Sequence, residues 1–346
     1  LYNDTSILHD INLTIKKGKT IAFTNGCFDI LHPGHLFSLG QAAKEADAKI
    51  ARQESLGPLH GLPVAHKDLF LTKGVKTTFG SPIYKDNVPD IDSLPVERLK
   101  NAGAISLGKT NTPEFGAGSQ TFNALFGATL NPYDLSKTCG GSSGGGAVAL
   151  ATGMVALADG TDLAGSLRNP ANFCNLVGMR PSVGRVPSWP EQLGWYTMSV
   201  AGPMARTVED LALAMSVMSG PDDRSPIAID TPGSIFTAPL QRNFKACRIA
   251  YSEDLGGLPV EPEVLKVMQA SRAVFESLGC EVVNDEIDLA EAGEIEAAMR
   301  LCVRKRLNIL ISGGTSTGKT TFARWLLSMV DPQERILTRS EERRVG

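Results

Sequence analysis

The sequence predicts an α/β protein, and three stretches carry that expectation. Arg248 to Ser252 reads as a strand, Pro262 to Leu278 as a helix with proline at its first position and Gly279 just past its last, and Cys280 to Val283 as another strand. Strand, helix, strand in that order is the α/β pattern. Leu62 to Ala65 reads as a buried strand that delivers Lys67 at its end. Ala147 to Ala158 is an apolar, Ala-rich helix pattern that follows a glycine-rich loop without a break.

Taken in order, Asp10 to Phe23 alternates apolar and polar residues around Lys16-Lys17-Gly18-Lys19, which predicts two short strands joined as a hairpin. Gln41 to Gln53 is an Ala- and charge-rich helix. After the strand before Lys67, Leu94 to Ala102 is helical and Ala104 to Gly108 is a second short strand. Thr207 and Asp210 form a capping box for a helix that stops at Gly220. Arg306 to Ser312 reads as a strand, followed by a loop and an amphipathic helix to Met329. No internal repeat or low-complexity tract interrupts the pattern.

The 346 residues leave ample length for a core. A net charge of −3 and a pI of about 6.0 give no reason to expect nucleic acid or an anionic membrane as partner. Cys27, Cys139, Cys174, Cys247, Cys280 and Cys302 are scattered without a C-x-x-C pair, which reads as reduced thiols and predicts no metal site. The segment beginning Leu1-Tyr2-Asn3-Asp4 lacks the basic, apolar, small-residue order of a signal peptide. The longest apolar run falls short of the ~20 residues that span a bilayer. These features together lead us to expect a soluble, cytoplasmic protein; oligomeric state is not legible.

The chemistry centres on Thr138 to Arg168, where two serines sit in glycine-rich loops. One is Thr138-Cys139-Gly140-Gly141-Ser142-Ser143-Gly144-Gly145-Gly146; the other is Gly160-Thr161-Asp162-Leu163-Ala164-Gly165-Ser166-Leu167-Arg168. Glycines let the backbone approach a bound group and aim amide N–H groups at it, as acyl transfer requires. The chain also has Gly57-Pro58-Leu59-His60-Gly61-Leu62-Pro63-Val64-Ala65-His66-Lys67-Asp68, Gly108-Lys109-Thr110-Asn111-Thr112-Pro113-Glu114-Phe115, Asn131-Pro132, Gly178-Met179-Arg180-Pro181-Ser182 and Gly202-Pro203-Met204-Ala205-Arg206-Thr207. With these segments, which stand in family order, residues 42–300 resemble the amidase signature family of serine hydrolases.

The resemblance implies a mixed sheet core surrounded by helices, incomplete at both ends, and an amide-bond hydrolase that needs no cofactor and acts on a small-molecule amide. It implies Ser166 as nucleophile, Ser142 as bridging serine with a cis peptide bond, and Lys67 as base. It places backbone donors to the acyl oxygen at Leu163, Ala164 and Gly165, on through Ser166, with Ala164 standing where many relatives have glycine. Gly140, Gly141 and Ser143 support the loops, and Asp162 and Arg168 brace them as an ion pair. No histidine stands at a motif position, and His60 and His66 are not at positions the family uses. Lysine can act as a base only when neutral, so Lys67 must be buried deeply enough for its pKa to fall far below ~10.4. The acyl-pocket side chains, and with them the substrate, are not legible.

The flanks resemble other families. Residues 1–23 look like the strands before the phosphate loop of an ABC transporter nucleotide-binding domain, and residues 24–41 resemble a cytidylyltransferase-type nucleotidyltransferase through His32-Pro33-Gly34-His35. The resemblance places His32 and His35 on nucleotide phosphates at a helix N-terminus. Residues 301–338 resemble a type IV secretion ATPase: Gly313-Gly314-Thr315-Ser316-Thr317-Gly318-Lys319-Thr320 matches G-x-x-x-x-G-K-T between strand and helix. Gly313, Gly318, Lys319 and Thr320 would hold ATP with Mg²⁺. Residues 339–346 are a charged tail that looks like neither family. Fragments of unrelated families in one frame lead us to expect a chimaeric chain around a truncated amidase domain; the competing expectations are a nucleotide-binding protein working through Lys319 and a chain without activity.

Overall fold

The computed structural model describes residues 43–245, 247–253 and 260–284. The hairpin of residues 10–23, His32 and His35, and the phosphate-loop residues Gly313, Gly318, Lys319 and Thr320 lie outside them. The chain divides into two compact units, one up to Leu240 and one from Gln241 onward.

In the first unit, a helix α1 over 43–51 leads to β1 (Pro63–Lys67), α2 (Leu94–Asn101) and β2 (Ile105–Thr110). A small hairpin of β3 (Phe122–Asn123) and β4 (Gly127–Ala128) precedes α3 (Gly144–Ala151), β5 (Leu157–Asp162), α4 (Arg168–Phe173), β6 (Val177–Gly178), β7 (Val200–Ala205) and α5 (Val208–Met218). Five strands form one sheet in the order β2-β1-β5-β7-β6. β1 runs parallel to β2 and β5, whereas β7 is antiparallel to both β5 and β6. This is the mixed sheet of the α/β expectation.

Strand alternation sorts the core into two faces. Val64 and Leu157 join Leu99, Leu211 and Met215 in one buried cluster, under α2 and α5. Their chain neighbours Ala65 and Ala158 join Val148, Leu150, Leu167 and Ala171 in the other, under α3 and α4. The small residues of β1 and β5 on that second face allow α3 to lie close. Thr207 caps α5 by accepting the Asp210 N–H at 3.1 Å, one of the two bonds of the capping box that the sequence predicts.

Two expectations are corrected here. The apolar pattern of Ala147 to Ala158 is not one helix: α3 ends at Ala151, Gly153 adopts φ +74°, and Leu157 begins β5. A left-handed glycine after the last turn stops the helix, and Arg206 Nη1 donates to the carbonyls of Leu150 at 3.0 Å and Val155 at 2.8 Å, fixing the break. The stretch from Gly160 is likewise only partly a loop, because Gly160, Thr161 and Asp162 complete β5.

At its start, α3 takes in Gly144, Gly145 and Gly146, which propensity alone would keep out of a helix. A Cβ on Gly145 would lie 2.3 Å from the Asn111 nitrogen, and the Gly145 N–H donates to the Asn111 carbonyl at 3.2 Å. Alanine gains only ~1 kcal/mol of helix propensity over glycine, whereas forcing main chain apart costs roughly 3 kcal/mol. Gly145→Ala is therefore expected to lower stability by roughly 2 kcal/mol or more in chemical denaturation; a neutral or stabilising result would contradict this close approach.

The second unit contains β8 (Arg248–Tyr251), α6 (Pro262–Ser277) and β9 (Glu281–Asn284), with β8 and β9 parallel. Pro262 opens α6, and Gly279 at φ +86° follows it, matching the sequence pattern to within a residue or two. No helix among the described residues is long and apolar enough to cross a membrane, and no cluster of three or more His, Cys, Asp or Glu side chains among them could hold a metal.

Candidate active site

Lys67 is the last residue of β1 and is fully buried. Its Nζ lies 2.7 Å from Ser142 Oγ, 2.9 Å from Ser143 Oγ and 2.9 Å from Thr161 Oγ1. Burial pushes the Lys67 ammonium down to about 7, against the opposing pull of Asp159 and Asp162. A buried amine ringed by hydroxyls can thus be neutral near neutral pH.

The three hydroxyls come from two separate segments, the Ser142-Ser143 loop and β5. Ser142 follows a cis Gly141–Ser142 peptide, and Ser143 is the residue just before α3. Gly140 precedes them at φ +75°, its N–H donating to Thr138 Oγ1 at 3.0 Å and its carbonyl accepting from Thr121 Oγ1 at 2.9 Å. Thr161 arrives from β5.

Ser166 sits between β5 and α4. It is half-buried, and its carbonyl accepts the Ser143 N–H at 3.2 Å, which ties the two serine loops together. Asp162 organises the turn. Its carboxylate accepts the N–H groups of Gly165 at 2.8 Å and Leu167 at 3.1 Å, with Arg168 Nε at 3.0 Å and Arg180 Nη1 at 3.3 Å. Burial alone would raise the Asp162 carboxyl; Arg168 and the amides outweigh it and hold the group at about 2. The turn's anchor therefore stays charged at any working pH.

One consequence bears on the donors that the resemblance places here. The Gly165 N–H is directed at Asp162, while the amides of Leu163, Ala164 and Ser166 have no acceptor among the described residues. Leu163 and Ala164 are exposed beside the half-buried Ser166, so this side of the turn is open to a ligand.

A cavity of about 780 Å³ reaches Thr161 and is lined by Phe70, Phe79, Val186, Trp189 and Tyr196, among others. Its apolar and aromatic walls come from the segments after β1 and before β7.

Two features escaped the sequence reading. Thr161 lies inside a recognised segment, but its hydroxyl becomes a lysine partner only through the parallel pairing of β1 with β5. His66, which is not at a position the family uses, is fully buried and bonded on both ring nitrogens, to Asp159 Oδ2 at 2.5 Å and to Ser106 Oγ at 2.7 Å.

Known proteins share this arrangement of segments. An amidase family profile matches residues 38–325, somewhat wider than the 42–300 suggested by the motifs. An acylamidase of Rhodococcus erythropolis is 41% identical over 252 residues, covering 72% of this chain and 53% of the relative. A glutamyl-tRNA(Gln) amidotransferase subunit from Moorella thermoacetica is 41% identical over 239 residues, covering 69% of this chain and 49% of the relative. The chain thus spans about half the length of the curated relatives it matches. Among solved structures, a bacterial aryl acylamidase of the amidase signature family aligns with a TM-score of 0.68 at 28% identity, over 84% of this chain and 66% of that one. A peptide amidase from Stenotrophomonas maltophilia aligns with a TM-score of 0.60 at 30% identity, over 79% and 56% respectively. With a family match over most of its length and the same mixed sheet and helices as solved members, the chain belongs to the amidase signature family.

Proposed function

We propose that this chain carries the catalytic centre of a hydrolase acting on small-molecule amides through an acyl-enzyme on Ser166. The observation that carries the reading is the fully buried Lys67 amine, 2.7 Å from Ser142 Oγ and brought down to about 7 by burial.

A neutral lysine amine has two N–H groups and one lone pair. Ser143 and Thr161 accept the two N–H groups, and the lone pair faces the Ser142 hydroxyl. Ser142 passes its proton to Lys67 as it takes the proton of Ser166, whose Oγ attacks the amide carbon. The carbonyl oxygen gains the negative charge and is met by the free amides of Leu163, Ala164 and Ser166. As the C–N bond breaks, the proton returns from Lys67 through Ser142 to the departing amine. Water then enters by the same route and releases the acid, restoring Ser166.

The aromatic cavity at Thr161 supports an apolar acyl or aryl group as part of the substrate. A fluorophosphonate, which needs an activated serine, is expected to form a single adduct located by mass spectrometry at Ser166. Amide hydrolysis that persists after Ser166 is fully labelled, or active enzyme that the probe leaves unlabelled at Ser166, would overturn the assignment.

A further inference from the structure

Ser106, His66 and Asp159 form a row across three adjacent strands. The register pairs Val64 with Ser106 on one side and with Leu157 on the other. Two residues beyond Val64 and Leu157, strand alternation sets His66 beside Asp159 on the same face. All the contacts close: His66 Nε2 lies 2.7 Å from Ser106 Oγ, His66 Nδ1 lies 2.5 Å from Asp159 Oδ2, and the second carboxylate oxygen accepts the Lys67 main-chain N–H at 2.7 Å. Both His66 and Asp159 are fully buried. The β1–β5 ladder pairs only Val64 with Leu157 and Ala65 with Ala158. The Asp159 carboxylate takes over from it just where Lys67 must leave the strand pair and reach the serines.

We propose that His66 and Asp159 are positioning residues for the Lys67 base, holding its main chain in place and fixing the buried charge against which its ammonium gives up a proton. The inference rests on the reading of Lys67 as base. The charged groups around it are few: Asp159 and Asp162 on β5, with Asp68 beside it in the chain and Lys109 on β2. Asp162 is already neutralised by Arg168 and Arg180, whereas Asp159 has only a neutral-capable imidazole, main-chain N–H and the two lysines nearby. The row is satisfied by a neutral ring with its proton on Nδ1, donated to Asp159, and Nε2 accepting the Ser106 hydroxyl, an assignment made from the network.

Asp159→Asn keeps an acceptor for the Lys67 N–H and removes the anion that stabilises the ammonium, so Lys67 becomes neutral at lower pH. His66→Leu keeps the anion and removes its donor, leaving it less compensated, so Lys67 becomes neutral at higher pH. The test is the pH profile of kcat/KM for both variants, with circular dichroism to check folding. The acid limb is expected to move down by about 1 pH unit in Asp159→Asn and up by roughly half a unit in His66→Leu. Either variant, if folded, can overturn the proposal, by an acid limb that stays in place while only the amplitude falls. Lys67→Ala in the same series separates the two claims. If that variant keeps its activity and its acid limb, the reading of Lys67 as base has failed; if it is inactive while the limbs of the other two stay fixed, only the present inference has failed.

Discussion

Ser166→Ala is expected to abolish amide hydrolysis, with kcat falling by about 10⁴-fold or more, as for other hydrolases that lose the attacking hydroxyl. The side chain is half-buried and makes no structural hydrogen bond among the described residues; it is the Ser166 carbonyl that ties the turn to Ser143. Folding should therefore be unaffected, and thermal midpoints of parent and variant should agree within a degree or two. A kinetic comparison under saturating substrate, with the melt measured on the same samples, checks both halves. Retention of the parent rate would remove Ser166 from the chemistry.

Lys67→Met is expected to separate activity from stability. Without the base, kcat should fall by roughly 10³-fold or more, and the rise of kcat/KM through about pH 7 should disappear. Stability should move the other way. The ammonium titrates near 10.5 when unfolded and at about 7 when buried, so between these pH values the unfolded chain binds more protons. Folding stability therefore rises with pH across that window and is lost as pH falls towards 7. At pH 7 this desolvation costs on the order of 4 kcal/mol, only part of which the three hydroxyl contacts recover. Methionine fills similar volume without the charge, so the variant should be more stable at pH 7, and its stability should no longer climb towards pH 10. Denaturant titrations at pH 7 and pH 10 measure this directly. A variant that is less stable than the parent at both would mean that Lys67 is held charged.

Local elements were legible because their causes are local. Thr207 caps a helix whose first turn carries its donor; Pro262 and Gly279 bracket another; the apolar run before Lys67 is a strand whatever lies beside it. The recognised segments also delivered Lys67, Ser142, Ser143 and Thr161 to one place, although the sequence says nothing of the distances. Alanine, glycine and valine suit a buried helix and a buried strand alike, so Ala147 to Ala158 could not reveal that Gly153 divides it. The glycines at the start of α3 read as loop, yet they are helical, and at Gly145 the residue is glycine because Asn111 passes too close for any side chain.

What the amino-acid sequence determined by itself was the inventory: an α/β chain, a lysine at a strand end, and two serines in glycine-rich turns. Only the tertiary structure decided which of these groups are charged and which are free. Burial, a property of the assembled sheet, lowers the Lys67 ammonium to about 7, and the register of β1 against β2 and β5 makes His66 the partner of Asp159. The carboxylate of Asp162 claims the Gly165 amide and leaves its neighbours open. Each outcome depends on groups far apart in the chain, and for that reason none could be read along it.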